Sequence, residues 1–215
     1  MFLEYVYCNV RLSDMVWKRS TRQPRAMIQA ARWVGRFHAG HEKRVDDLSL
    51  AFLKRYDDAY YRGWARRTLE FSRPLHGRFP WLTKICKGDQ WFTPLVAEPP
   101  TVIHGEFYAK NVLVRRHSVF MVDWESAAVA AGEIDVAALT EGKYWPAALV
   151  KRCERAYMLA RWPEAVPSSF TRALDAARIY LHFRWLGERA DWTVREKSAP
   201  RFDQLHAAAK RLNLI

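Results

Sequence analysis

The sequence predicts a mainly α (α+β) fold, in which one small β-hairpin lies at the centre of a single domain. Apolar residues recur at three- and four-residue steps through most of the 215-residue chain, which is the spacing of one helix face. Two short β-branched runs at 112–115 and 119–122 flank a tight turn at His117-Ser118, which is typical of a hairpin. Hydrophobic residues make up 50% of the chain, enough to form a folded core.

Three helical segments are expected before the hairpin. The first spans 24–40, where a proline occupies the favourable first turn. The second spans about 47–72 and ends before Arg73-Pro74, because the residue before a proline avoids helical backbone. The third spans 80–98 and is interrupted at Gly88-Asp89.

Helices are also expected after the hairpin. Alanine-rich segments predict helices at 133–140 and 145–161. A strong helix starts after Pro167 and ends near Gly187, a residue type that favours helix ends. Apolar residues spaced along 202–212 predict a short last helix.

The formal net charge of +12 raises the question of nucleic-acid binding. Most of the basic residues alternate with apolar residues at helical spacing, so they are expected to form the solvated faces of amphipathic helices. No nucleic-acid recognition motif accompanies the charge. The pattern therefore argues against a nucleic-acid partner.

Membrane, secreted and zinc proteins are also disfavoured. No apolar run approaches the roughly 18 residues that a membrane span needs, and segment 1–10 has no basic leader or cleavage site. Cys8, Cys86 and Cys153 are odd in number and widely spaced, which predicts reduced thiols rather than disulfides or zinc ligands. We therefore expect a cytoplasmic protein with no membrane partner.

The most informative segment is 103–125. It contains His104-Gly105-Glu106, then Asn111 five residues after the acid, then Asp123 twelve residues after the amide, and finally Glu125. Each residue alone would also suit a turn or a strand end. Together they place a carboxylate, an amide and a second carboxylate at the mouth of one hairpin. Phosphoryl transfer needs such a set, to receive the proton of the attacking hydroxyl and to bind a metal that neutralises the phosphates.

This segment resembles the aminoglycoside phosphotransferase family, which includes choline-kinase-like and other small-molecule kinases. The family pattern is His-Gly-Asp, four residues, Asn, then Ile/Val-Asp-Trp/Phe-Glu, then Gly and Asp-Leu-Ala. The matching residues here are His104-Gly105-Glu106, Asn111, Val122-Asp123-Trp124-Glu125, Gly132 and Asp135-Val136-Ala137. The segment 31–39 resembles the family helix that ends in Leu-His-Ala, and 2–6 resembles the hinge between the two lobes of the family fold.

The resemblance implies the C-terminal lobe of a protein-kinase-like fold, with the N-terminal β lobe absent. On this interpretation the single domain 1–215 begins with a hinge remnant at 1–7. A helical part at 24–98 follows, then the catalytic and metal loops at 101–125, and then the C-terminal helices at 133–215.

The resemblance also implies the roles of the site residues. Glu106 would be the catalytic base that accepts the proton of the substrate hydroxyl. Asn111 and Asp123 would bind Mg²⁺ through hard oxygen donors, the ligand type that this ion prefers. The phosphoryl donor would be ATP.

Other residues are implied to support the site or to bind the nucleotide. His104, Glu125 and Asp135 would have structural roles, with Asp135 holding the catalytic loop through backbone contacts. The residues implied to contact the nucleotide are Glu4, Tyr5 and Val6 at the adenine ring and Lys110 at a phosphate.

Two departures from the family pattern limit what we expect. Glu106 stands where the commonest family residue is Asp, and its extra methylene moves the carboxylate by about 1.5 Å. In a fixed site a misplacement of about 1 Å can cost on the order of 10²-fold in rate. Either the backbone compensates, as in family members that also have His-Gly-Glu, or the activity is low. The expected absence of the N-terminal lobe removes a Gly-rich loop and a phosphate-binding Lys. We therefore expect weak nucleotide affinity and little turnover from this chain alone, with a separate N-terminal lobe or self-association as its partner.

Two classes of function follow. The first is an ATP-dependent phosphotransferase acting on a hydroxyl of a small metabolite or an antibiotic-like acceptor. The positive net charge favours a neutral or anionic acceptor over a polycationic one. The alternative is a catalytically inactive kinase-like binding module or a truncated relative.

Overall fold

The chain is described by a computed structural model, which covers residues 7, 9–17, 20, 23–141 and 145–215. The described residues form a mainly helical fold with two small three-stranded sheets. The helices are α1 Leu12–Trp17, α2 Gln23–His41, α3 Asp58–Phe71, α4 Trp81–Lys87, α5 Thr93–Ala97, α6 Glu133–Thr140, α7 Ala147–Arg161, α8 Phe170–Leu186, α9 Ala190–Thr193 and α10 Ala199–Arg211. The strands are β1 Val10–Arg11, β2 Lys54–Arg55, β3 Thr101–Ile103, β4 Val112–Arg115, β5 Ser118–Met121 and β6 Ala128–Ala130.

The core lies among the long helices. Helix α2 packs along α7, and α8 packs against α3, α6 and α10. Each residue of α6 is buried, because this helix is apolar on most sides and has neighbours all round. The buried helix α6 follows the site segment directly, so that segment is attached to the core of the fold.

The predicted hairpin is confirmed. Strands β4 and β5 pair antiparallel, with Val112 opposite Met121 and Arg115 opposite Ser118. The turn falls at Arg116 and His117, one residue earlier than predicted, and Arg116 has a positive φ of 53°. Strand β1, which the sequence did not predict, extends this sheet by pairing with β4.

A second sheet carries the chain into and out of the hairpin region. Strand β6 pairs antiparallel with β3 and parallel with β2. The buried strand β3 ends at Ile103, immediately before the His104 motif, and β6 begins shortly after Asp123. The pairing of β3 with β6 therefore brings the two ends of the predicted site segment together.

The helix predicted over 47–72 is wrong in its first third. A 3₁₀ turn at Leu48–Leu50 and strand β2 precede α3, and Leu48 is 91% exposed rather than inward-facing. The Asp57 carboxylate accepts a hydrogen bond from the Tyr60 backbone N–H, which is a helix N-cap. This cap and the pairing of Lys54 with Ala128 outweigh the helical spacing.

Most other predicted helices are confirmed with small shifts. Helix α6 has the predicted bounds, and the predicted interruption separates α4 from α5. Helix α8 ends at Gly187 as expected, although the Ser169 side chain makes no capping hydrogen bond.

Cys86 and Cys153 are unpaired thiols, and Cys8 lies outside the described residues. Across the described ranges, no helix has both the length and the apolar character that a bilayer span needs.

Candidate active site

The site begins where β3 ends, at a sharp change of backbone direction. Gly105 has a φ of +78°, in the left-handed region that glycine tolerates best. A Cβ atom at this position would lie 2.2 Å from the Ser126 carbonyl oxygen. Glycine is therefore required here both for conformation and for the close approach of two backbone segments.

The carboxylate of Asp135 stabilises this turn by accepting hydrogen bonds from its backbone. One carboxylate oxygen accepts the backbone N–H of His104 at 2.7 Å, and the other accepts that of Gly105 at 2.9 Å. Asp135 is fully buried in the first turn of α6. A third partner is the His38 ring, whose Nε2 lies 3.2 Å from the carboxylate. The carboxylate thus fixes the loop that leads to Glu106.

The hydrogen-bond partners of His104 define which ring nitrogen donates and which accepts. Its Nε2 faces the Val122 carbonyl oxygen at 2.9 Å, so this nitrogen donates. Its Nδ1 faces the Glu106 backbone N–H at 3.3 Å, so this nitrogen accepts. Both ring nitrogens of a neutral imidazole are therefore used, which suits a structural role rather than proton transfer.

Two cations face the Glu106 carboxylate. Arg184 Nη2 lies 2.7 Å from Oε1, and Lys110 Nζ lies 3.6 Å from Oε2. Arg184 also donates to the Gly105 carbonyl oxygen at 2.8 Å and to the Ser126 hydroxyl at 3.2 Å. The guanidinium therefore ties the carboxylate to the backbone of its own loop.

Asn111 connects the Glu106 loop with the second half of the motif. Its amide nitrogen donates to the Glu106 carbonyl oxygen at 2.9 Å, and its backbone carbonyl accepts from Val122 at 3.1 Å. The side chain is buried. Because the amide nitrogen is engaged, the amide oxygen is the atom that could bind a cation.

Asp123 follows strand β5 in the left-handed conformation, with φ 70° and ψ 59°. Asp tolerates this region better than most residues do. Its carboxylate is exposed and pairs with no basic side chain among the residues that the structure describes. Its neighbour Val122 donates its backbone N–H to the Asn111 carbonyl oxygen, so the exposed carboxylate directly follows a residue bonded to Asn111. Carboxylate and amide oxygens are ligands that suit a hard cation.

The two oxygen donors, Asn111 and Asp123, suit Mg²⁺, which shares its ligands with water and phosphate. They do not suit a metal ion whose ligands all come from the protein. Within 7, 9–17, 20, 23–141 and 145–215, no group of three His, Cys, Asp or Glu side chains could hold a metal ion. Mg²⁺ usually takes one or two carboxylates and completes its octahedron with waters and substrate phosphates. Asn111 and Asp123 could supply the protein's part of such a shell.

The remaining predicted residues lie in different places. Lys110 borders the same pocket as Glu106, and its predicted contact with a phosphate stays a prediction. Glu125 is exposed and lines a separate groove of about 550 Å³ with Phe37 and Trp124. The predicted nucleotide contacts at Glu4, Tyr5 and Val6 lie outside the described residues.

A pocket of about 410 Å³ opens beside Glu106. Its aromatic wall comprises Tyr108, Trp185 and Trp192, and burial raises the pKa of Tyr108, so its hydroxyl stays protonated. The charged lining residues are Glu106, Lys110, Arg184, Glu188 and Arg201. The pocket is large enough for a small molecule whose polar end lies against Glu106.

Arg184 is the main site residue that the sequence analysis missed. It follows Ala177 and Leu181 at helical spacing, so it lies on the stripe of α8 that faces inward. In the sequence, the only local sign of this role was a charged residue at an otherwise apolar position of the helix. Its partner Glu106 is 78 residues away in the chain, and no local pattern could identify that pairing.

A buried polar network extends behind Asp135. Tyr157 lies 3.0 Å from Nδ1 of His38 and accepts a hydrogen bond from Arg161 at 2.7 Å. Arg161 also forms an ion pair with Glu133 at 3.0 Å, and both side chains are almost fully buried. Since Glu133 and Asp135 both lie in the first turn of α6, the network anchors this turn to α7.

We expect His38 to make the folded state sensitive to acid. Burial lowers the pKa of His38, and the hydrogen bond to Asp135 opposes the shift only in part. The unfolded chain therefore takes up a proton below about pH 6.5 that the folded chain resists. The free energy of unfolding should fall as the pH drops through this region, by up to about 1.4 kcal/mol per pH unit for this residue.

Urea unfolding at pH 7.5, 6.5 and 5.5 measures this slope. A His38→Gln variant should show a smaller slope than the wild-type chain, whatever its absolute stability. His117→Gln, in the exposed hairpin turn, should leave the slope unchanged. Equal slopes in the wild-type chain and His38→Gln would contradict the prediction.

The profile of the phosphotransferase enzyme family APH matches residues 11–186. A search of the curated proteins gives no match.

Three solved structures share the fold. A choline/ethanolamine kinase family protein from Mesorhizobium loti is 16% identical, with a TM-score of 0.64 over 98% of this chain and 71% of the other. A choline kinase from Cryptosporidium parvum Iowa II is 14% identical, with a TM-score of 0.54 over 99% and 70%. A macrolide 2′-phosphotransferase from Brachybacterium faecium is 21% identical, with a TM-score of 0.50 over 88% and 61%. At these identities the likeness establishes a kinase-like fold.

Proposed function

The chain belongs to the phosphotransferase enzyme family, and on this basis we propose that it transfers the γ-phosphate of ATP to a hydroxyl of a small molecule. The observation that carries the proposal is the hydrogen bond from the Asn111 amide to the Glu106 carbonyl oxygen, at 2.9 Å. This bond joins the proposed base to a proposed metal ligand. Phosphoryl transfer needs the base at the attacking hydroxyl and the metal at the phosphates, in a fixed relation to each other.

In the proposed reaction, Glu106 accepts the proton of the acceptor hydroxyl. The acceptor oxygen forms a bond to the γ-phosphorus, and the bond from that phosphorus to the bridging oxygen of ADP breaks. Asn111 and Asp123 would hold Mg²⁺, which when bound neutralises charge on the phosphates. Glu4, Tyr5 and Val6 are proposed to contact the adenine ring, and Lys110 a phosphate.

The contact with Arg184 compensates for the longer side chain that Glu106 has at the base position. A free Glu side chain has one more rotatable bond than Asp, and the extra freedom would disperse its carboxylate. The hydrogen bonds of Arg184 to Gly105 and Ser126 give the guanidinium a fixed position, from which it holds Glu106 Oε1 at 2.7 Å. We therefore assign Arg184 as a positioning residue for the base.

The acceptor is proposed to be neutral or anionic. The pocket beside Glu106 is lined by Lys110, Arg184 and Arg201, against Glu106 and Glu188. This lining gives no surplus of negative charge that would attract a polycation.

Two variants test the function by separating nucleotide binding from transfer. Asp123→Ala should abolish the Mg²⁺-dependent stabilisation by ATP, which amounts to about 2.7 kcal/mol when the ligand is at 100 times its dissociation constant. Glu106→Gln should keep this stabilisation but lower phosphate transfer to an acceptor on the order of 10²- to 10⁴-fold, because it lacks the base. Melting curves with and without Mg-ATP measure the first effect. Transfer of labelled γ-phosphate to a panel of hydroxylated small molecules measures the second.

Asp203→Ala is the matched control, since Asp203 is an exposed carboxylate on α10 outside the pocket. It should behave as the wild-type chain does in both assays. Absence of both the melting shift and transfer in the wild-type chain would support the alternative, a catalytically inactive kinase-like module or a truncated relative. Nucleotide binding without transfer to any member of the panel would support the same alternative.

A further inference from the structure

The pocket beside Glu106 contains an arginine that the proposed reaction does not use. Arg201 lies in the first turn of α10, and its side chain is half-buried. Its guanidinium carbon is 5.1 Å from the centre of the Trp185 ring. No Asp or Glu within the described part of the chain forms an ion pair with it.

The other basic groups of the pocket are already engaged. Arg184 and Lys110 both face the Glu106 carboxylate, at 2.7 and 3.6 Å. Arg201 therefore presents the pocket's available positive charge. A guanidinium on a helix terminus offers a planar pair of N–H donors, which matches a carboxylate in two-point contact.

Glu188 does not fully neutralise the positive charge of Arg201. Its side chain is exposed, so water and salt screen its interactions. Arg201 is half-buried against an indole, where the effective dielectric constant is lower and a charge acts more strongly on a bound ligand. The part of the pocket lined by Arg201 therefore favours an anion.

The aromatic wall also disfavours a cationic ligand. A cation would be attracted to the face of an indole ring. However, Arg201 already lies over Trp185, and Arg189 lies over Trp192 with its guanidinium 5.2 Å from the ring centre. A bound cation would meet a like charge at Trp185, whereas the charge of Arg189 at Trp192 is paired with Asp191. The apolar parts of both rings remain suited to an uncharged body.

We propose that the acceptor is a hydroxy acid with an apolar body, whose carboxylate binds Arg201 while the body packs against Trp185 and Trp192. Its hydroxyl would then lie toward Glu106, which lines the same pocket. The role of the hydroxyl rests on the proposed function. The recognition of a carboxylate by Arg201 does not, and it can be measured without nucleotide.

Three probes share one flat ring and one hydroxymethyl group, and they differ in the para substituent, which sets the charge. They are 4-(hydroxymethyl)benzoate, 1,4-benzenedimethanol and 4-(hydroxymethyl)benzylamine, which are anionic, neutral and cationic at pH 7. Isothermal titration calorimetry on the full chain, with no ATP, gives each dissociation constant. The benzoate should bind at least about tenfold more tightly than the amine, as expected for one charge-assisted contact, and the neutral diol should fall between them.

Three variants test whether Arg201 causes the preference for the benzoate over the amine. Arg201→Gln should reduce the difference between benzoate and amine to less than about threefold and leave the affinity for the diol nearly unchanged. Arg201→Lys should keep part of the preference, because it keeps the charge and loses the planar pair of donors. Arg66→Gln, an exposed arginine outside the pocket, is the matched control and should change nothing.

The outcomes separate this inference from the proposed function. A preference for the benzoate that disappears in Arg201→Gln supports the inference, even if no transfer from ATP is ever detected. Equal affinities for the three probes, a preference for the amine, or no binding of any probe would overturn it. A preference that survives Arg201→Gln would overturn the assignment to Arg201, while phosphate transfer measured separately could still stand.

Discussion

Replacing Asp135 by alanine is expected to cost about 3–5 kcal/mol of folding free energy. The change leaves the backbone N–H groups of His104 and Gly105 buried without acceptors, and it removes one of the two partners of the His38 ring. A buried donor without a partner costs about 1–3 kcal/mol, and here two are created at once. Since domains are stable by about 5–15 kcal/mol, the variant should be near its folding limit at room temperature.

Urea unfolding at pH 7.5 measures this loss. Asp191→Ala is the control, because its carboxylate is about half-exposed and pairs with Arg189 and Arg195 at the surface. That variant should lose no more than about 1 kcal/mol. Asp135→Asn keeps one acceptor and should fall between the two. A loss below about 1 kcal/mol in Asp135→Ala would show that the loop is held by other contacts.

Replacing Arg161 by methionine should have a similar effect for a different reason. The substitution leaves Glu133 as a buried carboxylate without its cation, and Tyr157 without a donor. Removing one partner of a buried ion pair costs about 3–5 kcal/mol of folding free energy. The loss should be visible as a lower urea midpoint with an unchanged slope.

The pH dependence of this loss identifies its cause. Burial raises the pKa of Glu133, and Arg161 opposes that rise. Without Arg161 the folded state should bind a proton on Glu133 more readily than the unfolded chain does, so acid should relieve the defect. The difference in stability between Arg161→Met and the wild-type chain should therefore shrink as the pH falls from 8 toward the ordinary pKa of a glutamate, about 4.5.

A double variant supplies the control for this experiment. Glu133→Leu together with Arg161→Met removes both charges and should recover most of the stability, because an apolar pair of similar volume often replaces a buried ion pair at little cost. If the double variant were as unstable as Arg161→Met alone, lost packing rather than an uncompensated charge would be responsible.

Local patterns in the sequence were sufficient for most helices. Helix α6 has its predicted bounds because its apolar run has no competing partner and ends where the pattern ends. The hairpin of β4 and β5 was also predictable, since two β-branched runs close over a two-residue turn. In both cases the decisive interactions connect residues that are close in the chain.

The segment before α3 was mispredicted because its interactions are distant. Lys54 and Arg55 pair with Ala128 and Val129 of β6, more than seventy residues later in the sequence. The apolar residues around Leu48 follow a helical spacing, but this spacing carries no information about a strand partner elsewhere. Sheet pairing with β6 prevailed over local propensity.

The sequence by itself determined which chemical groups are present and in what order: Glu106, Asn111 and Asp123 around one hairpin, with Asp135 following. Spacing along the chain is enough for this, because one hairpin brings its own ends together. Only the tertiary structure brought Arg184 and Arg201 to the pocket beside Glu106. These arginines come from helices whose position depends on core packing over the whole domain, and the periodicity of a helix sets only which of its faces is buried.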